Sequence, residues 1–224
     1  MPSKLPGRLS LLIAICVPLV ILGNALIILL LPWMADVQYA LPGFPADEFG
    51  FDRGERGDLA AIGIRSIWPV GAGTGLLADA SLPDGSAAFG QSEIRHMEDV
   101  SRLVRVGLIV WLLGLVGLVG ALTRLRTRDG AFGETARAGF RWGGVTTLGL
   151  VASVGLLMLV GFDAAFDGFH GIFFEGDSWK FSDASTLRRL YPDAFWGIAA
   201  AWLVTLALAQ AIGLVLLTRN GGRR

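Results

Sequence analysis

Cysteine, histidine and charged residues are all scarce in this chain of 224 residues, and each scarcity excludes a class of protein. The single cysteine, Cys16, cannot form an internal disulfide or supply a CxxC metal or redox motif. With two histidines there is no HExxH zinc-protease motif, and no GxSxG serine-hydrolase motif is present. Only 17% of the residues are charged, whereas soluble domains contain about a quarter, so the composition favours a membrane protein.

Four apolar runs are long enough to cross a bilayer, which requires about 20 helical residues. We place the four transmembrane helices at residues 9–31, 103–122, 143–162 and 195–217. From Val106 onward in the second helix, and throughout the other three, no side chain is charged. The predicted fold class is an all-α membrane protein with four transmembrane helices in a single membrane domain, residues 1–224. Asn24, an uncommon residue inside a span, is expected to hydrogen-bond a neighbouring helix.

The segments that flank the spans differ in charge, and this difference predicts the orientation of the chain. The N-terminus, the basic loop 123–142 and the C-terminal tail together carry ten basic and two acidic residues, whereas acids predominate in residues 35–101 and 163–194. Because positive residues stay on the cytoplasmic side, both termini are predicted to be cytoplasmic. The 35–101 and 163–194 segments should then form a small extracytoplasmic cap. The arginine-rich loop suits anionic lipid headgroups, and no nucleic-acid partner is predicted.

Local signals subdivide these outer segments. Residues 55–68 are predicted to form a short helix, and LPDGS at 82–86 a tight turn. A second short helix is expected to begin with Ser182 or Asp183 as its N-cap and to end at Leu190. The stretch SEIRHMEDVSRLVRV (92–106) contains no proline, so one helix should begin near its first residue and continue into the second span.

Both histidines fall beside the outer end of a predicted span. On the outer extension of the second helix, His96 has Glu93 and Asp99 one turn away on either side, and His170 follows the third span one turn after Asp167. Because a modest loop joins the second and third helices, we expect them to be neighbours, so that the two histidines converge on one cleft. A neutral imidazole supported and oriented by a carboxylate is a natural general base near neutral pH.

Aromatic residues crowd the segment around His170. They recur along one helical face, as is typical of an amphipathic helix at a membrane interface. The residues that we predict to line the interface are Phe166, Phe169, Phe173, Phe174 and Trp179.

The residues alone leave three kinds of function open. The histidines could act as a catalytic base beside a carboxylate, or with nearby carboxylates they could hold zinc. They could also be amphipathic anchors in a non-catalytic membrane protein, as we expect for Trp33, Trp68, Trp179, Trp196 and Tyr191. Because no two histidines share one helix, the signal for a metal is weak, and we predict no metal and no cofactor.

The block EIRHMEDV (93–100), taken with FDGFHGIFFEGDSWKFSDASTLRRLYPDAFW (166–196), resembles a bacterial family of four-helix membrane proteins that includes the lipoprotein intramolecular transacylase. The resemblance implies that an acyl group moves from the sn-2 position of a lipoprotein's diacylglyceryl group to the amine of its N-terminal cysteine, giving a lyso-form lipoprotein. It implies catalytic roles for His96 and His170, and acyl chains held by the interface-lining set Phe166, Phe169, Phe173, Phe174 and Trp179. It also implies diacylated lipoproteins and membrane lipids as partners, and an active face on the outside of the bacterial cytoplasmic membrane. The alternatives to this acyltransferase are a metal-dependent membrane lipid hydrolase that uses the same histidines, and a non-catalytic membrane scaffold.

Overall fold

The computed structural model describes residues 7–127 and 132–220, which are helical apart from turns, loops and one isolated antiparallel β-bridge between Ser81 and Ala87. In chain order the helices are α1 (Arg8–Leu29), α2 (Met34–Tyr39), α3 (Arg53–Ser66), α4 (Gly75–Ala78), α5 (Gln91–Arg126), α6 (Phe132–Val160), α7 (Phe162–Phe173), α8 (Thr186–Leu190) and α9 (Asp193–Asn220). The predicted all-α fold class is confirmed.

Helices α1, α5, α6 and α9 are long and apolar enough to cross a membrane. Each contains most of one predicted span, and α5 carries both the stretch around His96 and the second span, as the absence of proline predicted. Helices α5 and α6 extend well into the predicted 123–142 loop, because arginine, glutamate and alanine there are compatible with a helix. Several charges that contribute to the predicted asymmetry lie outside the described residues: Lys4, Arg128, Asp129, Arg223 and Arg224.

The described part of the chain divides into two compact units, of which the first comprises residues 7–27, 108–127, 132–160 and 202–220. Its core consists of aliphatic and small side chains, namely Ile13, Val17, Ile21, Ala121, Leu125, Ala136, Val151, Ala207 and Ala211. Glycines allow close helix contacts here. A Cβ atom added at Gly143 would lie 2.5 Å from Cβ of Val17, and one at Gly139 would lie 2.7 Å from Cβ of Ile13. Small residues therefore set the helix spacing in this unit, as in other membrane bundles.

A polar link connects α1, α5 and α9 within the first unit. Asn24 Nδ2 donates a hydrogen bond to Gln210 Oε1 at 3.0 Å, and Trp111 Nε1 donates one to Asn24 Oδ1 at 3.1 Å. The hydrogen bond predicted for Asn24 to a neighbouring helix is thus confirmed.

The second unit comprises residues 28–107 and 161–201, and it contains both histidines. The helix predicted at 55–68 is α3, which begins with a capping box in which Asp52 and Glu55 each accept a hydrogen bond from the other's backbone N–H. In the predicted LPDGS turn, Gly85 has φ of +83°, a left-handed conformation that glycine adopts without a steric penalty.

Two expectations for this unit were wrong. Helix α8 begins at Thr186 with Ser185 as N-cap, because Ser182–Ser185 forms a turn that is closed by a 2.9 Å backbone hydrogen bond. Tyr191 is not an interfacial anchor. It is buried, and its hydroxyl donates to the backbone carbonyl of Ala60 at 2.8 Å, so a polar partner inside the unit replaces the water that an interface would offer.

Candidate functional site

The side chains of His96 and His170 lie together in the second unit, as the order of the spans predicted. Their ring centroids are 6.3 Å apart and their planes are inclined by only 23°, so the two imidazoles are stacked with an offset. His96 is on the part of α5 that precedes the apolar run beginning at Val106, and His170 is near the end of α7. The two rings are therefore close enough to act on one substrate group.

Aromatic side chains enclose the imidazole of His170, which is only 8% exposed. The ring centroids of Phe166 and Trp179 lie 4.1 Å and 4.5 Å from that of His170, and Phe174 lies 5.3 Å away. All three belong to the predicted lining set. Their packing removes water from the ring and disfavours a positive charge on it.

A backbone hydrogen bond fixes which nitrogen of His170 is basic. Its Nδ1 lies 2.8 Å from the carbonyl oxygen of Phe166. Since a carbonyl can only accept, Nδ1 carries the proton of the neutral ring and Nε2 keeps its lone pair. Burial lowers the pKa of His170, while the bond to Phe166 and the charge of Asp167 oppose that shift in part. His170 is thus a neutral base at physiological pH, with Nε2 as its basic atom.

His96 has a different environment. Phe174 and Phe181 approach its ring at centroid distances of 4.9 Å and 5.4 Å. Burial, together with the nearby His170, lowers the pKa of His96 to about 4, against a smaller opposing effect of Asp99. The Nδ1 atom of His96 is buried and has no hydrogen-bond partner among the described residues. Because buried polar atoms are nearly always paired, this nitrogen requires a partner that the described side chains do not supply.

The carboxylates predicted to support the histidines occupy distinct positions. Glu93 is buried, and its two oxygens accept hydrogen bonds from the backbone N–H groups of Gly90 and Leu187, each at 2.7 Å. It therefore joins the first turn of α5 to the first turn of α8. Asp99 forms an ion pair with the exposed Arg102 at 3.0 Å, and Asp167 is exposed. Both of these act on the imidazoles through their charge.

The C-terminal half of α7 has an exposed apolar face. Phe169 and Phe173 pack against each other at a centroid distance of 4.9 Å and remain about half exposed, and the intervening Ile172 is more exposed still. Phe169 also reaches the edge of the His170 ring at 5.4 Å. The predicted aromatic set thus contains residues that contact the imidazoles and residues, such as Phe173, that form an exposed apolar face.

Sequence reasoning missed Phe181 as a neighbour of His96. It lies in the loop between α7 and α8, where no periodic pattern marks the direction of a side chain. Its only signal was its place in the aromatic block that follows His170. Within residues 7–127 and 132–220, no group of three or more His, Cys, Asp or Glu side chains is placed to hold a metal ion.

A family model, a relative and several solved structures are similar to this chain. Residues 78–196 match the family model described as "Lipoprotein intramolecular transacylase Lit". An uncharacterized protein of Aquifex aeolicus (strain VF5) is 30% identical over 217 residues, which cover 96% of this chain and 95% of that protein. The structure of the membrane integral lipoprotein intramolecular transacylase Lit from Bacillus cereus is similar, with a TM-score of 0.77 at 17% identity over 94% of this chain and 93% of that one. Structures of two variants of that protein, with a histidine replaced by arginine or by alanine, match with TM-scores of 0.72.

Proposed function

Because the chain belongs to the lipoprotein intramolecular transacylase family, we propose that it moves a fatty acyl group within one lipoprotein molecule. The acyl group leaves the sn-2 ester of the diacylglyceryl group and is joined to the α-amine of the N-terminal cysteine, giving a lyso-form lipoprotein. The observation that carries this proposal is the stacked pair of imidazoles, His96 and His170, among aromatic side chains.

In this proposal His170 is the general base. Its Nε2 takes a proton from the substrate amine as the nitrogen attacks the carbonyl carbon of the ester. A C–N bond forms, the ester C–O bond breaks, and Nε2 returns the proton to the departing alkoxide oxygen, so that the ring ends in its starting state. Because amine and ester belong to one substrate, holding them in contact removes a large part of the barrier.

His96 has the role of a neutral hydrogen-bond donor. Its buried Nδ1 supplies the N–H group that the oxyanion of the tetrahedral intermediate requires. The pKa of about 4 keeps this ring uncharged at physiological pH. The proton removed from the amine goes to His170, because burial lowers the pKa of this ring but its Nδ1 bond to Phe166 favours the charged form and opposes that shift in part.

The proposal also includes the cellular localisation and membrane topology of the chain. We assign the chain to the bacterial cytoplasmic membrane, with both termini in the cytoplasm and the histidines on the extracytoplasmic face. The arginines near the adjoining ends of α5 and α6 support this orientation, since the 35–101 and 163–194 segments are acidic. A C-terminal reporter that is active only in the cytoplasm tests it.

The decisive experiment expresses the full chain in a host that makes diacylated lipoproteins and measures N-terminal lipopeptides by mass spectrometry. We expect one acyl group to shift from the glyceryl moiety to the cysteine nitrogen. His170→Ala should reduce the shift by about 10²–10⁴-fold, the usual contribution of a general base, and His96→Ala should also reduce it strongly. An unshifted acyl pattern with a folded wild-type protein would refute the proposal.

Matched controls separate this function from the alternatives. Arg95→Ala and Asp163→Ala change exposed neighbours on the same two helices and should leave the acyl shift intact. A metal-dependent lipid hydrolase would instead release free fatty acid and lose activity on chelation together with a stoichiometric metal. If the protein were a scaffold, the histidine variants would change its stability, and neither the wild type nor the variants would form a lipid product.

A further inference from the structure

The second unit contains a cavity of about 230 Å³ away from the set of rings around the histidines. We call it the Arg56 cavity. Its wall includes Tyr39, Phe44, Ala46, Asp47, Arg53 and Arg56. Pockets for drug-sized ligands usually measure about 300–1,000 Å³, so this one suits a small polar group better than an acyl chain.

Arg56 is a buried cation whose contacts are all neutral. The residue is only 5% exposed. Its Nε and Nη1 atoms donate to the backbone carbonyls of Arg189 and Pro45 at 2.9 Å and 2.8 Å. Its guanidinium carbon lies 4.7 Å and 5.1 Å from the ring centroids of Tyr39 and Phe44. No carboxylate among the described residues forms an ion pair with Arg56, although buried charges are usually paired.

Asp47, the acid in the cavity wall, is already neutralised by another arginine. Its oxygens accept hydrogen bonds from Nε and Nη2 of Arg189, at 3.1 Å and 2.8 Å. One of them also accepts from the backbone N–H groups of Phe49 and Phe51. The carboxylate is therefore paired with Arg189, and among the described residues no acid forms an ion pair with Arg56.

The surroundings of the cavity favour a lipid as the source of that counter-ion. Arg53 adds a second positive charge to the wall, on an exposed side chain. Helix α2, which carries Tyr39, begins at Met34, and the membrane-spanning helix α1 ends shortly before it at Leu29. Trp33 and Phe49, which flank α2 in the sequence, are about half exposed, as aromatic residues at a membrane interface are.

We propose that the Arg56 cavity binds the phosphate of an anionic phospholipid headgroup, with Arg56 as the buried contact and Arg53 as the contact at the opening. Arginine presents several N–H donors in a planar array that matches phosphate oxygens. The site does not depend on acyl transfer. It is formed by residues that do not touch the histidines, and its occupation neutralises a charge that the fold otherwise leaves buried and unpaired.

The test measures lipid binding by the full-length protein in detergent, using native mass spectrometry with phosphatidylglycerol or phosphatidylcholine as the probe. Ala46 is exposed in the cavity wall, so Ala46→Glu places a carboxylate there without disturbing the core, and Ala46→Gln is its neutral control. We expect the wild type and Ala46→Gln to prefer phosphatidylglycerol. Ala46→Glu should bind that lipid about tenfold more weakly, as expected for a like charge near a binding anion.

A second pair of variants removes a positive charge instead. Arg53→Gln should weaken phosphatidylglycerol binding several-fold, whereas Arg65→Gln, an exposed arginine of the same helix that does not line the cavity, should not. Equal binding of phosphatidylglycerol by all four variants would overturn the proposal. So would thermal stabilisation by inorganic phosphate that equals the effect of the lipid and is abolished by Ala46→Glu, because the ligand would then be a free anion.

Discussion

The two units of the chain differ in the interactions that stabilise each of them internally. In the described part of the first, long helices pack through aliphatic and small residues, and Asn24 adds a polar link to Trp111 and Gln210. In the second, short helices and loops are joined by side chains that hydrogen-bond to the backbone of distant segments. These side chains are Tyr39, Arg56, Glu93, Thr186 and Tyr191.

The difference follows from backbone chemistry. Long helices satisfy their own N–H and C=O groups, so only their spacing remains to be fixed. Short helices and loops leave many backbone groups unpaired, and a buried unpaired group is costly. Side chains of the second unit supply the missing partners, and α8 alone receives such bonds from Tyr39, Arg56 and Glu93. The irregular unit is also the one that carries the histidines.

The largest effect should come from breaking the polar frame of the second unit. Glu93→Ala leaves the N–H groups of Gly90 and Leu187 without their acceptor. Two hydrogen bonds to a charged group are worth about 3 kcal/mol or more, so thermal unfolding should occur at a clearly lower temperature. Hydrogen exchange should increase around residues 186–190. Glu98→Ala, an exposed change on the same helix, is the control, and an equal effect of the two variants would contradict this role of Glu93.

A smaller effect is expected from overpacking the first unit. Gly143→Ala places a methyl group 2.5 Å from Cβ of Val17, and such overpacking costs about 1–3 kcal/mol. Gly149→Ala on the same helix meets no atom within 4 Å and should leave the unfolding temperature unchanged or slightly higher. If both variants unfold alike in detergent, close helix contact does not set the spacing of this unit.

Acid should weaken the second unit more than the first, because both histidines lie there. The unfolded chain takes up protons near pH 6.5, whereas folded His96 resists protonation until about pH 4. As the pH falls through this window the unfolded state binds more protons, so stability is complete above pH 6.5 and decreases below it. The difference in unfolding temperature between pH 7.5 and pH 5 should shrink in a His96→Gln, His170→Gln double variant. An undiminished difference would assign the acid sensitivity to other groups.

The smallest effect should come from the polar link of the first unit. Asn24→Leu removes the acceptor for Trp111 and the donor to Gln210. Hydrogen bonds between membrane helices contribute about 0.6 kcal/mol on average, so the loss of two costs about 1.2 kcal/mol and should lower the unfolding temperature by about 2–5 °C. Trp111→Phe deletes only the donor and should have a comparable small effect. A change as large as that of Glu93→Ala would show that both units depend on polar contacts equally.

The two units also differ in how much of their structure could be predicted from the sequence. Four spans and the continuous α5 could be predicted, because apolar runs and the absence of proline act locally. The meeting of His96 with His170 could be predicted from the order of the spans. By contrast, Arg56 binds the carbonyl of Arg189 across 133 positions and Glu93 binds Leu187 across 94, and no periodicity connects such partners.

Glu93 illustrates the limit of predicting side-chain partners from helical spacing. Its spacing of one turn from His96 correctly placed both on α5, and it suggested a carboxylate oriented toward the imidazole. The backbone N–H groups of Gly90 and Leu187 engage both carboxylate oxygens instead. Helical spacing tells which residues share a face, but not which unpaired backbone group a neighbouring loop brings to that face.

The bond between His170 and Phe166 ties the reactivity of an imidazole to the folding of a single short helix. The carbonyl that receives Nδ1–H is held in place only while α7 is wound, and a free imidazole in water exchanges between its two tautomers. A frayed α7 would therefore present lone pairs on either nitrogen, in a ring free to rotate. The exposed Phe169, Ile172 and Phe173 give α7 an apolar side of the kind that favours a wound helix at a membrane interface. The winding of α7 thereby selects one tautomer out of two.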